Sequence, residues 1–158
     1  MITKPSVKRI LLAEDDPDDI YLISEAVDEC GLDVKLRVVQ DGEDLLDYLY
    51  QRDRYANGEK AVPPDLILLD LNMPLKDGRD ALREIKEDPA IKNIPVIVLT
   101  TSSAEADLEQ SYQDGASGFI TKPASFRELR DVVRKLSDYW LSTVLLPDNY
   151  GSEERADR

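Results

Sequence analysis

Acidic, hydroxyl and amine side chains follow four short apolar runs of the chain. Glu14 and Asp15 follow the first run, Asp70 the second, Thr100 the third and Lys122 the fourth. Carboxylates crowded together repel one another, and one takes up a proton unless a cation neutralises them. Mg²⁺ prefers oxygen ligands of this kind and keeps sites for water and a phosphoryl oxygen. The pattern predicts a Mg²⁺ site at which a carboxylate accepts a phosphoryl group, with the hydroxyl and the amine stabilising its charge.

Soft-metal chemistry is excluded by composition. The chain has no histidine and one cysteine, Cys30. Zinc and iron sites need several nitrogen or sulfur ligands, and one cysteine without any histidine cannot supply them. Cys30 recurs on the apolar face of a predicted helix, so we expect a buried structural thiol. One cysteine cannot form an internal disulfide, so an oxidising compartment is not implied. Residues 1–9 lack the apolar core of a signal peptide, so we expect a cytoplasmic protein.

The elements that must position these side chains are buried parallel strands. Short apolar runs bounded by turn residues and separated by helical patterns are typical of such strands. Their carboxyl ends converge on one edge of the sheet, where ligands bind. Residues 34–39 alternate apolar and polar side chains, which indicates a strand near the sheet edge. Asp16 and Asp41 are predicted helix caps, and a fifth helix is expected to begin near Ser125. The alternation of five strands and five helices predicts a doubly wound α/β sandwich.

The charge balance excludes several partners. Twenty Lys and Arg residues against 33 Asp and Glu residues give a net charge of -13. A chain this acidic repels phosphate backbones and anionic lipids, so we expect no nucleic acid and no membrane partner. No apolar stretch approaches the roughly 20 residues that a membrane helix requires.

Four segments resemble the receiver domain of two-component response regulators. They are residues 10–16 (ILLAEDD), 70–78 (DLNMPLKDG), 95–100 (PVIVLT) and 115–123 (GASGFITKP). The resemblance implies a receiver domain over residues 6–139 and a C-terminal extension over residues 140–158. We expect residues 140–150 to form an apolar arm and the polar residues after them to be a frayed tail. It also implies a flavodoxin-like five-stranded parallel sheet of strand order 2-1-3-4-5, flanked by five helices.

The resemblance assigns roles to the acidic residues. Asp70 is expected to be the phosphoacceptor, and Glu14, Asp15 and Asp70 are expected to hold Mg²⁺ together with the backbone carbonyl of Asn72. Many members of the family have Asp where this chain has Glu14. The longer side chain reaches further, and its metal contact could pass through a water molecule.

The resemblance also assigns roles around the phosphoryl group. Thr100 is expected to bind a phosphoryl oxygen and Lys122 to pair with the phosphate. Phe119 falls at the position of the switch aromatic, which turns inward when Thr100 moves. The Lys122–Pro123 bond falls where the family has a cis peptide, which costs little only before proline.

The C-terminal residues make the resemblance specific to one subgroup of response regulators. Residues 139–147, with 111–112 and the polar loop 51–64, are similar to the small response regulators that partner bacterial phytochromes. Those proteins lack an output domain, and we expect none here. Relatives dimerise through this segment or through the face of the fourth and fifth helices. An apolar patch supports a homodimer; the alternative is that the tail folds back on its own domain. The patch comprises Trp140, Leu141, Val144, Leu145 and Leu146.

The leading hypothesis is a phosphorylation-driven switch that receives its phosphoryl group from a sensor histidine kinase of the phytochrome type. It could end a pathway, relay phosphate or act as a phosphate sink. An alternative is a phosphatase of the haloacid dehalogenase type, but that chemistry needs an acid two residues after the nucleophile, where this chain has Asn72. A third reading is a phosphate-independent interaction module. We expect no enzyme activity beyond phosphoryl transfer to and from Asp70.

Overall fold

The computed structural model describes residues 7–31, 33–56 and 62–146. The strands are β1 (Lys8–Ala13), β2 (Val34–Val39), β3 (Leu66–Leu69), β4 (Val96–Thr100) and β5 (Gly118–Thr121). The helices are α1 (Pro17–Glu29), α2 (Gly42–Tyr50), α3 (Gly78–Glu87), α4 (Glu105–Gln113) and α5 (Phe126–Asp138). The strands form one parallel sheet of order β2-β1-β3-β4-β5, which confirms the predicted fold class.

The sheet is buried on both faces at its centre. Every residue of β3 and β4 is buried, because helices cover both faces and the apolar runs lose contact with water on each side. Apolar side chains of α2 and α3 pack on one face, and those of α1 and α5 pack on the other. At the edge, β2 alternates between half-buried and exposed residues up to Val39, as its sequence pattern predicts.

Side-chain caps fix where the helices begin. The Asp16 carboxylate accepts hydrogen bonds from the backbone N–H groups of Asp18 and Asp19, and Asp41 and Ser125 cap α2 and α5 in the same way. The caps at Asp16 and Asp41 were predicted, as was a helix start near Ser125, and each cap stabilises its helix by about 1 kcal/mol. Since Asp16 caps α1, only residues 14–16 connect β1 to that helix. The acidic residues therefore lie immediately beyond the end of β1.

The chain continues past α5 as a π-helical turn, Tyr139–Thr143. Leu141 is 4% exposed and belongs to the core between the sheet and α1 and α5. Trp140 is half-buried against the same core. The predicted apolar patch is therefore divided. The π-helical turn packs Trp140 and Leu141 against the core of their own domain. Beyond it, Leu145 is 81% exposed, and Val144 and Leu146 are half-buried.

Three smaller predictions differ from the structure or lie outside it. Cys30 is half-buried rather than buried, because it is the C-terminal capping residue of α1. The polar loop 51–64 contains a short 3₁₀ helix, Asp53–Tyr55. Residues 57–61 of this loop and the predicted frayed tail after residue 150 lie outside the described residues. No helix in the described ranges combines the length and the hydropathy needed to cross a bilayer.

Candidate phosphorylation and metal site

The sheet register brings the predicted site residues to one edge. Ala13 pairs with Leu69, and Leu69 pairs with Val98. Glu14 and Asp70 come next along β1 and β3, and the backbone N–H of Asp70 donates to the Ala13 carbonyl at 3.0 Å. The expected convergence at the carboxyl edge is therefore present in the structure.

Three carboxylates form a cluster suited to a divalent cation. One oxygen each from Glu14, Asp15 and Asp70 lies within 4.8 Å of the others. Glu14 and Asp70 are buried, whereas Asp15 is exposed and leaves the cluster open to solvent. Buried like charges are costly, and hard oxygen donors with an open side suit Mg²⁺. A bound divalent ion would supply positive charge to these oxygens and to those of a phosphoryl group.

Asn72 lies beside this cluster and is exposed. Its backbone N–H donates to Asp70 Oδ1 at 3.3 Å. The metal contact expected from its carbonyl stays a prediction.

Lys122 is the cation that pairs with the cluster. Its Nζ donates to Glu14 Oε1, to Asp19 Oδ2 at 2.9 Å and to Asp70 Oδ2 at 3.4 Å. The side chain is 6% exposed, and its backbone N–H donates to the Thr100 carbonyl at 2.6 Å. The structure therefore places Lys122 beside Asp70 as the sequence predicts, and it adds Asp19 as a partner.

Burial dominates the electrostatics of Glu14. It raises the pKa of Glu14 to about 7. The hydrogen bond from Lys122 acts to lower this pKa, and repulsion from Asp70 acts to raise it further. Burial alone would lower the pKa of Lys122, but hydrogen bonds to Glu14 and Asp19 raise it overall, so the ammonium stays charged. Glu14 Oε2 also accepts the backbone N–H groups of Asp15 at 3.1 Å and Asp16 at 3.2 Å. The Glu14 side chain therefore folds back over its own loop with one oxygen and contacts Lys122 with the other.

Thr100 and Phe119 occupy the positions expected of the switch residues. Thr100 is fully buried at the end of β4, and its Oγ1 accepts the backbone N–H of Ser102 at 3.3 Å. Phe119 pairs with Val98 across the sheet and is half-buried against the core on the α2 and α3 face. Their roles in switching stay predictions.

A network between α3 and α4 was not predicted. Arg79 makes two hydrogen bonds to the Asp107 carboxylate, both at 2.8 Å. Ser102 Oγ donates to Asp107 Oδ2 at 2.6 Å, and Arg79 also reaches Asn72 Oδ1 at 3.5 Å. The bonds from Arg79 and Ser102 lower the pKa of Asp107 to about 2. An ion pair between helices distant in sequence leaves no periodic signal, so the chain alone did not indicate it.

Asp19 was missed for a different reason. Acidic residues are common in the first turn of a helix, where they interact favourably with its dipole. Asp18 and Asp19 both fit that pattern. Only the position of the α1 start relative to β5 shows which of them faces Lys122.

The Lys122–Pro123 bond corrects an expectation from the resemblance. No cis peptide bond occurs among the described residues, so this bond is trans. Before proline the two isomers differ by only about 0.5–1 kcal/mol, so local sequence does not select one of them.

Comparison with known proteins agrees with this geometry. The family model described as "Response regulator receiver domain" matches residues 10–134. Response regulator Rcp1 of Synechocystis sp. is 41% identical over 140 residues, covering 89% of this chain and 93% of Rcp1. The crystal structure of Mn²⁺-bound Rcp1 superposes with a TM-score of 0.82 at 41% identity, covering 89% of this chain and 99% of the other.

A second solved structure is similar over the same region. The phosphorylated cyanobacterial phytochrome response regulator RcpA is 45% identical, with a TM-score of 0.84, over 90% of this chain and 99% of the other. Together with the site at the carboxyl edge of the sheet, these matches identify the family. The chain belongs to the response regulator receiver domain family.

Proposed function

We propose that this chain accepts a phosphoryl group on Asp70 from a sensor histidine kinase. The observation that carries this proposal is the buried Asp70 carboxylate, which lies 3.4 Å from Lys122 Nζ and within the cluster of Glu14 and Asp15. An Asp70 oxygen bonds to phosphorus as the bond to the donor breaks, and water later hydrolyses the acyl phosphate.

The surrounding residues counter the negative charge that opposes phosphoryl transfer to Asp70. Lys122 pairs with the phosphoryl oxygens, and the Thr100 hydroxyl donates a hydrogen bond to one of them. Glu14, Asp15, Asp70 and the Asn72 carbonyl would hold the divalent ion.

Movement of Thr100 toward the phosphoryl group would couple the site to a surface. The Thr100 hydroxyl would leave the Ser102 amide, which now donates to it. Phe119 would then turn inward, and the surface that includes it would favour a different partner. The half-buried position of Phe119 supports this role, because the ring already lies between the core and solvent.

The similarity to Rcp1 and RcpA supports a phytochrome-type kinase as the donor, since the RcpA structure is described as a phytochrome response regulator. Whether the chain ends the pathway, relays phosphate or acts as a sink does not change the chemistry at Asp70. We propose no turnover of an external substrate, because Asn72 stands where a dehalogenase-type phosphatase needs an acid. The cytoplasmic location stays a prediction.

We also propose a homodimer that uses the exposed part of the C-terminal segment. Leu145 is 81% exposed, and Val144 and Leu146 are half-buried beside it. Leu141 lies in the core of its own domain, so its role is to anchor the segment. Trp140 packs beside it and reaches the surface only in part.

Phosphotransfer from a purified phytochrome-type histidine kinase tests the main proposal. The parent protein is expected to acquire an acid-stable, alkali-labile phosphoryl group in Mg²⁺, and Asp70→Asn is expected to acquire none. The Asp65→Asn variant provides a control at an acid outside the cluster. Robust Mg²⁺-dependent labelling of Asp70→Asn would contradict the assignment, and labelling of neither protein by any kinase or by acetyl phosphate would contradict the function.

A further inference from the structure

Lys122 divides its hydrogen bonds among three carboxylates that belong to three different elements. Glu14 follows β1, Asp70 follows β3, and Asp19 lies in the first turn of α1. The ammonium lies nearer to Asp19 Oδ2, at 2.9 Å, than to Asp70 Oδ2, at 3.4 Å. An ammonium has three N–H donors, so these acceptors can engage all of them.

Both members of the Asp19–Lys122 pair are held in place by their own backbones. The N–H of Asp19 donates to the Asp16 cap at 3.2 Å, and the N–H of Lys122 donates to the Thr100 carbonyl at 2.6 Å. The side chains are 24% and 6% exposed. A pair this well anchored and largely shielded from water loses little entropy when it forms, unlike an ordinary surface ion pair.

Asp19 acts on the ammonium and not on the cation cluster. Among the described residues, the acids whose oxygens could share one metal ion are Glu14, Asp15 and Asp70. Among the described acceptors of the Lys122 ammonium, Asp19 is the one outside that set. A change at Asp19 therefore alters the environment of Lys122 and leaves the three candidate metal ligands in place.

We propose that Asp19 is a positioning residue that holds the Lys122 ammonium on the α1 side of the site and competes for it with a phosphoryl group on Asp70. The inference rests on the proposed function of Asp70. When the phosphoryl group forms, its oxygens must draw the ammonium away from Asp19 or share it. Asp19 therefore weakens the hold of Lys122 on the phosphoryl group and shortens the lifetime of the phosphorylated state.

The experiment measures beryllofluoride affinity at saturating Mg²⁺ in Asp19→Asn and in the matched control Asp18→Asn. Asp18 is the exposed neighbour in the same helical turn, so its substitution removes the same formal charge without touching Lys122. We expect Asp19→Asn to bind beryllofluoride about fivefold more tightly than Asp18→Asn, the effect of releasing one charge-assisted hydrogen bond. Asp18→Asn is expected to remain within about twofold of the parent, as for an exposed charge.

Two further measurements distinguish positioning from a general effect on the fold. Asp19→Glu retains the carboxylate and is expected to return beryllofluoride affinity toward the parent value. Mg²⁺ affinity without beryllofluoride is expected to be weaker in Asp19→Asn than in Asp18→Asn, because an ammonium released from Asp19 competes with the cation for Glu14 and Asp70. Equal or tighter Mg²⁺ binding by Asp19→Asn would overturn the proposal, because Asp19 would then not restrain the ammonium.

The remaining outcomes separate the inference from the function on which it rests. Equal or weaker beryllofluoride binding by Asp19→Asn than by Asp18→Asn would overturn the inference, provided that the parent binds and Asp70→Asn does not. A parent protein that binds no beryllofluoride would overturn the proposed function, and the inference with it.

Discussion

Arg79 and Asp107 form a bidentate ion pair that joins the first turn of α3 to the first turn of α4, with both N–O distances at 2.8 Å. The pair also holds the loop after β4, because Ser102 Oγ donates to the same Asp107 carboxylate. Because α4 has no side-chain cap of its own, this bridge is a side-chain contact that ties the start of that helix to α3.

Asp107→Asn is expected to lower the free energy of unfolding by about 1–2 kcal/mol, because the amide has one acceptor oxygen and no charge and cannot replace both bonds from Arg79 and the bond from Ser102. Urea unfolding followed by circular dichroism measures the change. The control is Asp131→Asn, which breaks the exposed pair with Arg134 and should cost no more than about 0.5 kcal/mol. Equal losses of unfolding free energy in the two variants would show that the bridge between α3 and α4 stabilises the protein no more than an exposed ion pair does.

Mg²⁺ affinity is expected to depend on pH through Glu14. Its pKa of about 7 in the metal-free protein means that a proton competes with the cation below neutrality. A dissociation constant about tenfold larger near pH 6 than near pH 8 follows from one such proton. Isothermal titration calorimetry at several pH values measures it, and Glu14→Gln should remove most of the dependence. A flat profile in the parent would refute the assignment to Glu14.

The same raised pKa predicts how the metal-free protein responds to pH. Glu14 binds its proton more tightly in the folded chain, with a pKa of about 7, than the ordinary glutamate pKa of 4.5 implies. Its contribution to stability is therefore fully present below about pH 4.5 and is lost as the pH rises through about 7. Thermal unfolding with and without Mg²⁺ checks this, because Mg²⁺ should stabilise the protein more at high pH than at low pH. Greater stabilisation by Mg²⁺ at the lower pH would contradict this prediction.

Gly78 is expected to tolerate no side chain. A Cβ at this position would lie 2.2 Å from the backbone oxygen of Asp70. Either the start of α3 or the chain after β3, which carries Asp70, would therefore have to move. Gly78→Ala should cost at least about 2 kcal/mol of stability and reduce phosphorylation of Asp70. Gly31→Ala is the comparison, because a Cβ there meets nothing within 4 Å and only the φ of +76° opposes it. A milder effect at Gly78 than at Gly31 would contradict the close approach.

Leu141 and Leu145 are expected to respond oppositely to substitution. Leu141→Ala should lower the free energy of unfolding by about 2–4 kcal/mol, because it opens a cavity in the core. Leu145→Ser should leave stability nearly unchanged and weaken the proposed dimer, because that side chain is 81% exposed. Sedimentation equilibrium alongside urea unfolding measures both properties. A dimer unaffected by Leu145→Ser would place the interface elsewhere.

Local pattern was enough to predict the sheet, the helix caps and the meeting of Asp70 with Lys122. Those features follow from apolar periodicity and from the convergence of parallel strands at one edge. The contact of Asp19 with Lys122 and the bridge from Arg79 to Asp107 were not predictable in this way. They depend on how helices far apart in sequence are set against one another, and polar residues on helix surfaces carry no periodic signature of that placement.

The short connection between β1 and α1 has a consequence for how the protein can vary. Residues 14–16 hold two candidate ligands and the residue that caps α1, with no spare residue between them. An insertion there would shift the acids relative to the strand end and displace Asp19 from Lys122 in the same step. Natural and engineered length changes should therefore be absent from this connection, because the spacing itself is part of the chemistry.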